Sequence, residues 1–157
     1  MFRKWLATFG GTGLLPGMPG TYASLAAVII YYGLLRWLGE SARIAAAVLA
    51  ILVSLLGHTL YAWTQQYFKK QDPRQFVLDE VAGQWLTLLV APSSPHVLAT
   101  LAMGFFLFRA FDVAKPFPIN RIERIRGYAG VLLDDLAAGL CSAAILWVLI
   151  RLVGPIL

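Results

Sequence analysis

Long apolar stretches separated by short polar connections constrain this chain more than any other feature. Residues 22–38, 42–67, 96–112 and 133–153 are each predominantly apolar. A helix needs about 20 such residues, with a range of roughly 17–25, to cross a hydrocarbon core about 30 Å thick. Each of the four is long enough. A fifth apolar stretch, residues 77–91, opens with Asp79-Glu80 and stops at Pro92 and Pro95. As helix it is about 20 Å long, so it is either tilted and assisted by its flanks or a re-entrant half-helix. Only 13% of residues are charged, 59% are hydrophobic, and the mean hydropathy is +0.72. Soluble domains carry about 25% charge. The expected fold is all-α: one membrane-embedded domain over residues 1–157, an integral bundle of about four to five transmembrane or re-entrant helices.

The connections are equally readable. Residues 9–21 hold so many glycines and prolines that no regular element is expected there. Residues 39–43 form a polar turn, residues 69–76 a polar loop closed by Pro73, and residues 113–130 a basic loop containing Gly127 and Gly130. Tyr61, Trp63 and Tyr67 suit a membrane interface. No internal repeat or low-complexity tract is present. Met1–Gly10 lacks the long apolar region and small-residue cleavage site of a secretory signal. Cys141 is the sole cysteine, so it forms no intramolecular disulfide, and its place in an apolar run suits core packing.

The formal net charge is +5, and the cations cluster. Arg3 and Lys4, the Lys69–Lys70–Arg74 group, and Lys115 with Arg121, Arg124 and Arg126 fall on one side if the apolar stretches alternate across the bilayer. Only Arg36, Glu40, Arg43, Arg151 and residues 92–95 fall on the other. The positive-inside rule makes the basic side cytoplasmic, and basic residues beside apolar spans also attract anionic lipid. Nucleic-acid binding would call for cations spread over a solvated face. No protein partner is evident.

The eight acidic residues are Glu40, Asp72, Asp79, Glu80, Asp112, Glu123, Asp134 and Asp135. Five abut apolar stretches on the basic side: Asp79, Glu80, Asp112, Asp134 and Asp135. Asp79-Glu80 and Asp134-Asp135 are expected to open their helices, where the macrodipole favours negative charge. Asp112 is expected near a helix C-terminus, where the dipole disfavours it. Arg109 and Lys115, three residues to either side, could pair with it. Alternatively the carboxylates share a cation. Converging carboxylates repel one another, and a hard divalent ion with oxygen ligands, Mg²⁺, relieves that repulsion. His58 and His96 are too far apart in the pattern to suggest zinc. Gly10, Gly11, Gly13, Gly17 and Gly20, with the hydroxyls of Thr12, Thr21 and Ser24, could offer a phosphate-binding nest before a helix N-terminus. No Gly-Lys-Ser/Thr sequence closes this loop, so it is not a Walker loop. Carboxylates for Mg²⁺, Arg109 and Lys115 for an anion, and this loop all fall on the cytoplasmic leaflet, which suits metal-assisted chemistry on a lipid phosphate.

Four blocks of residues resemble the phosphatidylglycerophosphatase A family, the small Mg²⁺-dependent lipid phosphatases of bacterial membranes. The first is Gly11-Thr12-Gly13-Leu14 with Pro16, Pro19-Gly20-Thr21 and Ser24-Leu25. The second is Asp79-Glu80 with Gly83. The third is Phe108-Arg109, Asp112, Lys115-Pro116 and Pro118-Ile119. The fourth is Gly127, Gly130, Asp134-Asp135 and Gly139. They occur in the family's order and span residues 11 to 139. Ala23 departs from the glycine common in the family, and residues 69–76 and the termini match less closely.

The resemblance implies hydrolysis of phosphatidylglycerophosphate to phosphatidylglycerol and phosphate at the cytoplasmic face of a bacterial inner membrane. It leaves phosphatidic and lysophosphatidic acid open as further substrates. On this reading Asp79, Glu80, Asp134 and Asp135 hold Mg²⁺, and Asp112 or one of the paired carboxylates is the general base. Arg109 and Lys115 neutralise phosphoryl charge, while residues 11–21 with Ser24 contact the phosphate or the glycerol head. Direct attack by water and an aspartyl-phosphate intermediate both fit. The alternative is a cation-coupled transporter or channel using the same carboxylates. It predicts acids near the midplane and a two-sided path. A CDP-alcohol lipid synthase is a third reading, but its aspartate pattern is absent.

Overall fold

Prolines, glycines and left-handed residues set where the helices begin and end. The structure is a computed structural model and describes residues 1–92 and 96–153. Helix α1 (Phe2–Ala7) is short and buries Ala7. Pro19 occupies the first position of α2 (Pro19–Leu38), where its missing N–H costs nothing. A 3₁₀ turn, Gly39–Ser41, then joins α2 to α3 (Ala42–Phe68). Lys69 and Lys115 cap α3 and α5 (Val97–Ala114) in the left-handed conformation. Between these two lies α4 (Leu78–Leu88). Helix α6 (Ile119–Ile122) is a single turn, and Gly127, with φ +81°, precedes α7 (Tyr128–Val153). The described residues contain no strand.

Three stretches are long and apolar enough to cross a membrane: Pro19–Phe68, Val97–Ala114 and Tyr128–Leu152. The first contains both α2 and α3. These fold back on each other, since Tyr31 and Leu35 share a core cluster with Ala42 and Ala46. The long helices turn large apolar residues outward, among them Ile29, Ile51, Leu55, Phe106, Leu140 and Val148. A face of that kind suits the hydrocarbon of a bilayer. The fold is thus the all-α membrane bundle expected from the apolar runs.

Helix α4 is the centre of this bundle. At about 16 Å it is too short to cross, and α2, α3, α5 and α7 all pack on it. Its contact with α7 is close. A Cβ on Gly83 would lie 2.6 Å from the Asp135 carbonyl oxygen, and one on Gly139 would lie 2.6 Å from the Gly83 carbonyl oxygen. Lipid tails give apolar side chains no reason to leave them, so membrane helices associate through small residues that let backbones approach. Two buried donors lock the neighbours in place. Trp85 Nε1 donates to the Ala27 carbonyl at 2.9 Å, and the Tyr128 hydroxyl donates to the Ser54 carbonyl at 2.7 Å.

Three boundaries differ from expectation. Residues 9–21 do contain regular structure: a 3₁₀ turn at Thr12–Leu14 and the first residues of α2. Residues 113–130 are not wholly loop, because α6 lies within them. Helix α7 begins at Tyr128 rather than near residue 133, so Gly130 is inside it, pressed on the Ile125 carbonyl. Asp134 and Asp135 therefore lie beyond the first turn of α7, and the helix dipole that was expected to favour them there is spent before reaching them. Pro95, one of the expected stops, lies outside the described residues.

Candidate active site

The N-termini of α2 and α4, the C-termini of α3 and α5, and the first turns of α7 meet at one end of the bundle. They enclose an open cavity of about 1470 Å³. Its floor is acidic. Asp79 and Glu80 come from the first turn of α4 and Asp135 from α7, and each offers one carboxylate oxygen within 4.8 Å of the others. Asp79 and Asp135 are buried, at 6% and 4% exposure. Asp79 Oδ1 and Glu80 Oε2 are buried with no hydrogen-bond partner. Buried anionic oxygens without partners cost several kcal/mol each. A cation bound among them would remove that cost. The donor set is all oxygen, which suits a hard cation such as Mg²⁺ or Ca²⁺ better than zinc.

The close seam between α4 and α7 positions the floor. Gly83 sits one turn beyond Asp79 on α4, and Gly139 one turn beyond Asp135 on α7. Any side chain at either glycine would push the helices, and their carboxylates, apart. Gly20 does a related job on α2. A Cβ there would overlap Glu80 Oε1 and come within 3.2 Å of Arg109 Nη1.

The two expected anion-binding cations are both paired to carboxylates. Arg109 Nη1 donates to Asp112 Oδ2 one turn along α5, which compensates the acid at that helix's C-terminus. Asp112 in turn neighbours Asp135. Arg109 Nε is buried and unpartnered, so part of its guanidinium remains free. Lys115 does not pair with Asp112. Its left-handed cap turns the side chain toward Asp134 Oδ2 at 2.6 Å and Glu123 Oε1 at 2.7 Å. Burial lowers the ammonium pKa, but hydrogen bonds to Asp134 and Glu123 outweigh it and hold the pKa above the usual lysine range. Asp134 is thereby drawn away from the other three acids. Its second oxygen accepts from the Asp135 N–H at 3.1 Å.

Of the N-terminal loop, only Gly17, Met18, Pro19 and Gly20 line the cavity. The N–H groups of Gly10, Gly11 and Gly13 are spent on the carbonyls of Trp5 and Thr8. The Thr12 hydroxyl bonds Thr8 and Phe9, and Gly13 lies against the Gln75 carbonyl. Thr21 and Ser24 hold buried hydroxyls without partners, set back from the cavity on α2. Sequence reasoning missed Gly83 and Gly139 as site builders, although both belong to the blocks that carry the family resemblance. Their spacing of four residues from Asp79 and from Asp135 was the available signal.

A sequence model described as phosphatidylglycerophosphatase A matches residues 5–150. The chain belongs to that family. Phosphatidylglycerophosphatase A of Escherichia coli is 35% identical over 94% of this chain and 84% of its own length. The enzyme of the same name from Haemophilus influenzae is 32% identical over 90% of this chain and 85% of its own. A Bacteroides thetaiotaomicron protein, provisionally named a phosphatidylinositol-3-phosphatase, is 33% identical over 87% of this chain and 86% of its own. No solved structure matches the chain significantly. The phosphatidylglycerophosphatase A match reaches from α1 almost to the end of α7, so it includes the cavity, the acidic floor and the α4–α7 seam.

Proposed function

We propose that this chain hydrolyses the terminal phosphomonoester of phosphatidylglycerophosphate, giving phosphatidylglycerol and inorganic phosphate, with Mg²⁺ at the acidic floor. The observation that carries the reading is the convergence of Asp79, Glu80 and Asp135, with orphaned oxygens, in a cavity ringed by cations. The family is one of phosphatases, which decides against the transport alternative. The cavity end carries Lys69, Lys70, Arg74, Lys115, Arg124 and Arg126, and the positive-inside rule supports a cytoplasmic orientation for it.

Asp79, Glu80 and Asp135 would hold the cation. When bound, it supplies Lewis-acid polarisation of a phosphoryl oxygen. In the net reaction one water is consumed. The phosphorus–oxygen ester bond breaks, a water oxygen takes its place on phosphorus, and the departing alkoxide gains a proton. Asp112, beside Asp135 and oriented by Arg109, is the carboxylate set to take a proton. The free N–H groups of Arg109 neutralise phosphoryl charge. The first N–H groups of α2 at Gly20 and Thr21 point the positive end of a helix toward the anion. Lys115 and Asp134 act on each other and fix the α5–α7 corner. Both named lipids among the relatives, phosphatidylglycerophosphate and the 3-phosphate of phosphatidylinositol, carry a phosphodiester as well as a terminal phosphomonoester.

The test is phosphate release by the purified protein in detergent, with Mg²⁺ and with chelator. Turnover of phosphatidylglycerophosphate that chelator abolishes and added Mg²⁺ restores is expected. Chelator-insensitive turnover would remove the cation from the reaction, and no turnover would remove the substrate.

A further inference from the structure

Lys69, Lys70 and Arg74, on the connection between α3 and α4, and Arg124 and Arg126, on the connection between α6 and α7, form a collar around the cavity mouth. All five are exposed, and all five line the cavity. None makes an ion pair among the described residues, whereas Arg109 and Lys115 deeper in are both engaged by carboxylates. Away from the floor and Asp112, the acidic lining residues are Asp72, Glu123 and Asp134, and Lys115 occupies the last two. The collar is therefore a strongly positive ring with one opposing charge.

We propose that this collar binds the phosphodiester of the substrate head group, and so selects lipids carrying a diester beside the terminal monoester over lipids carrying the monoester alone. The inference rests on the phosphatase reading above. Charge and space carry it. The reacting phosphate must reach the carboxylate floor, where Asp79, Glu80 and Asp135 would hold the cation and Arg109 lies beside them. A cavity of about 1470 Å³ is larger than the roughly 300–1,000 Å³ of ordinary small-molecule sites, so one phosphate leaves most of it unfilled. A head group with two phosphates has room to keep one at the floor and set its second anion among the unpaired cations. Phosphatidic acid has no second phosphate for them. Guanidinium and ammonium donors bind phosphate oxygens through charge-assisted hydrogen bonds.

Cations on this side also attract anionic lipid without any particular contact. Arg3 and Lys4 separate the two effects, because they share the side and do not line the cavity. The experiment compares the full-length protein with R124Q/R126Q, K69Q/K70Q/R74Q and the control R3Q/K4Q, in neutral detergent micelles. Each collar variant is expected to raise KM for phosphatidylglycerophosphate about tenfold or more with kcat nearly unchanged, as loss of uniform binding does. Kinetics with phosphatidic acid should stay within about twofold, and the control should match the wild type on both lipids. Equal losses on both lipids, or the same loss in the control, would overturn the collar as a diester site.

Binding of short-chain phosphatidylglycerol, which has the diester and no monoester, reads the collar apart from turnover. Both collar variants should weaken it and the control should not. Equal binding by all four proteins would sink the inference even if the enzyme is active. Collar-dependent binding by a protein that leaves phosphatidylglycerophosphate intact would sink the hydrolysis reading instead.

Discussion

Glycines crowd two regions of this molecule and do opposite work in them. In the segment before α2, Gly10 and Gly11 take φ of +67° and +92°, and their N–H groups return to Trp5 and Thr8. They shape a turn that satisfies itself. In the α4–α7 seam, Gly83 and Gly139 have ordinary helical backbones and are needed for the volume they leave empty. The N-terminal turn has the composition of a phosphate cradle and mostly closes on itself. The seam has the composition of plain helix interior and sets the distance between the carboxylates. A glycine's neighbours in sequence reveal its backbone freedom, while its neighbours in space reveal its missing side chain.

The comparison can be broken at its strongest point first. Asp135→Asn keeps the seam packed and removes one floor carboxylate. Activity with phosphatidylglycerophosphate is expected to fall on the order of a thousandfold at an unchanged thermal midpoint. Retained turnover would detach the seam from the chemistry. Gly83→Ala and Gly139→Ala should each destabilise the protein by about 1–3 kcal/mol through overpacking. The loss is read as a lower midpoint in detergent, together with weaker Mg²⁺ activation.

Gly20→Ala meets the tip of the Glu80 side chain rather than a backbone, so the fold can give way. We expect roughly tenfold lower kcat/KM, about 1.4 kcal/mol in transition-state terms, with little change in midpoint. A large fall in midpoint instead would show Gly20 to be structural. Gly10→Ala has open space around it and only left-handed strain to bear, about 1 kcal/mol. Its activity should match the wild type, and a tenfold loss would return the N-terminal turn to the site.

The sequence displays the helices because lipid demands long apolar runs, and no tertiary contact has to be known to see them. It displays the acids for a related reason, since charges beside such runs stand out. What it conceals is pairing. Lys115 and Arg109 stand at equal spacing from Asp112, and a straight helix would offer it both. The left-handed cap at Lys115 turns one of them toward α7, and nothing in the local sequence announces where Asp134 will be. The early start of α7 is hidden for a similar reason. Gly127 and Gly130 both read as breakers, yet Gly130 fills a place where only a glycine clears the Ile125 carbonyl. Cys141 lies against the cluster around Phe108, in keeping with a packing role.

Helix α4 carries a consequence for how substitutions will be tolerated. Leu78, Asp79, Val81, Ala82, Gly83, Gln84, Trp85, Thr87 and Leu88 are all buried, because four other helices surround it. The lipid-facing helices present one side to the bilayer, so tolerance along them should rise and fall with each turn. Along residues 78–88 a saturation scan should instead show intolerance at nearly every position, relaxed only at the half-buried Leu86, so that the helical repeat is hard to see.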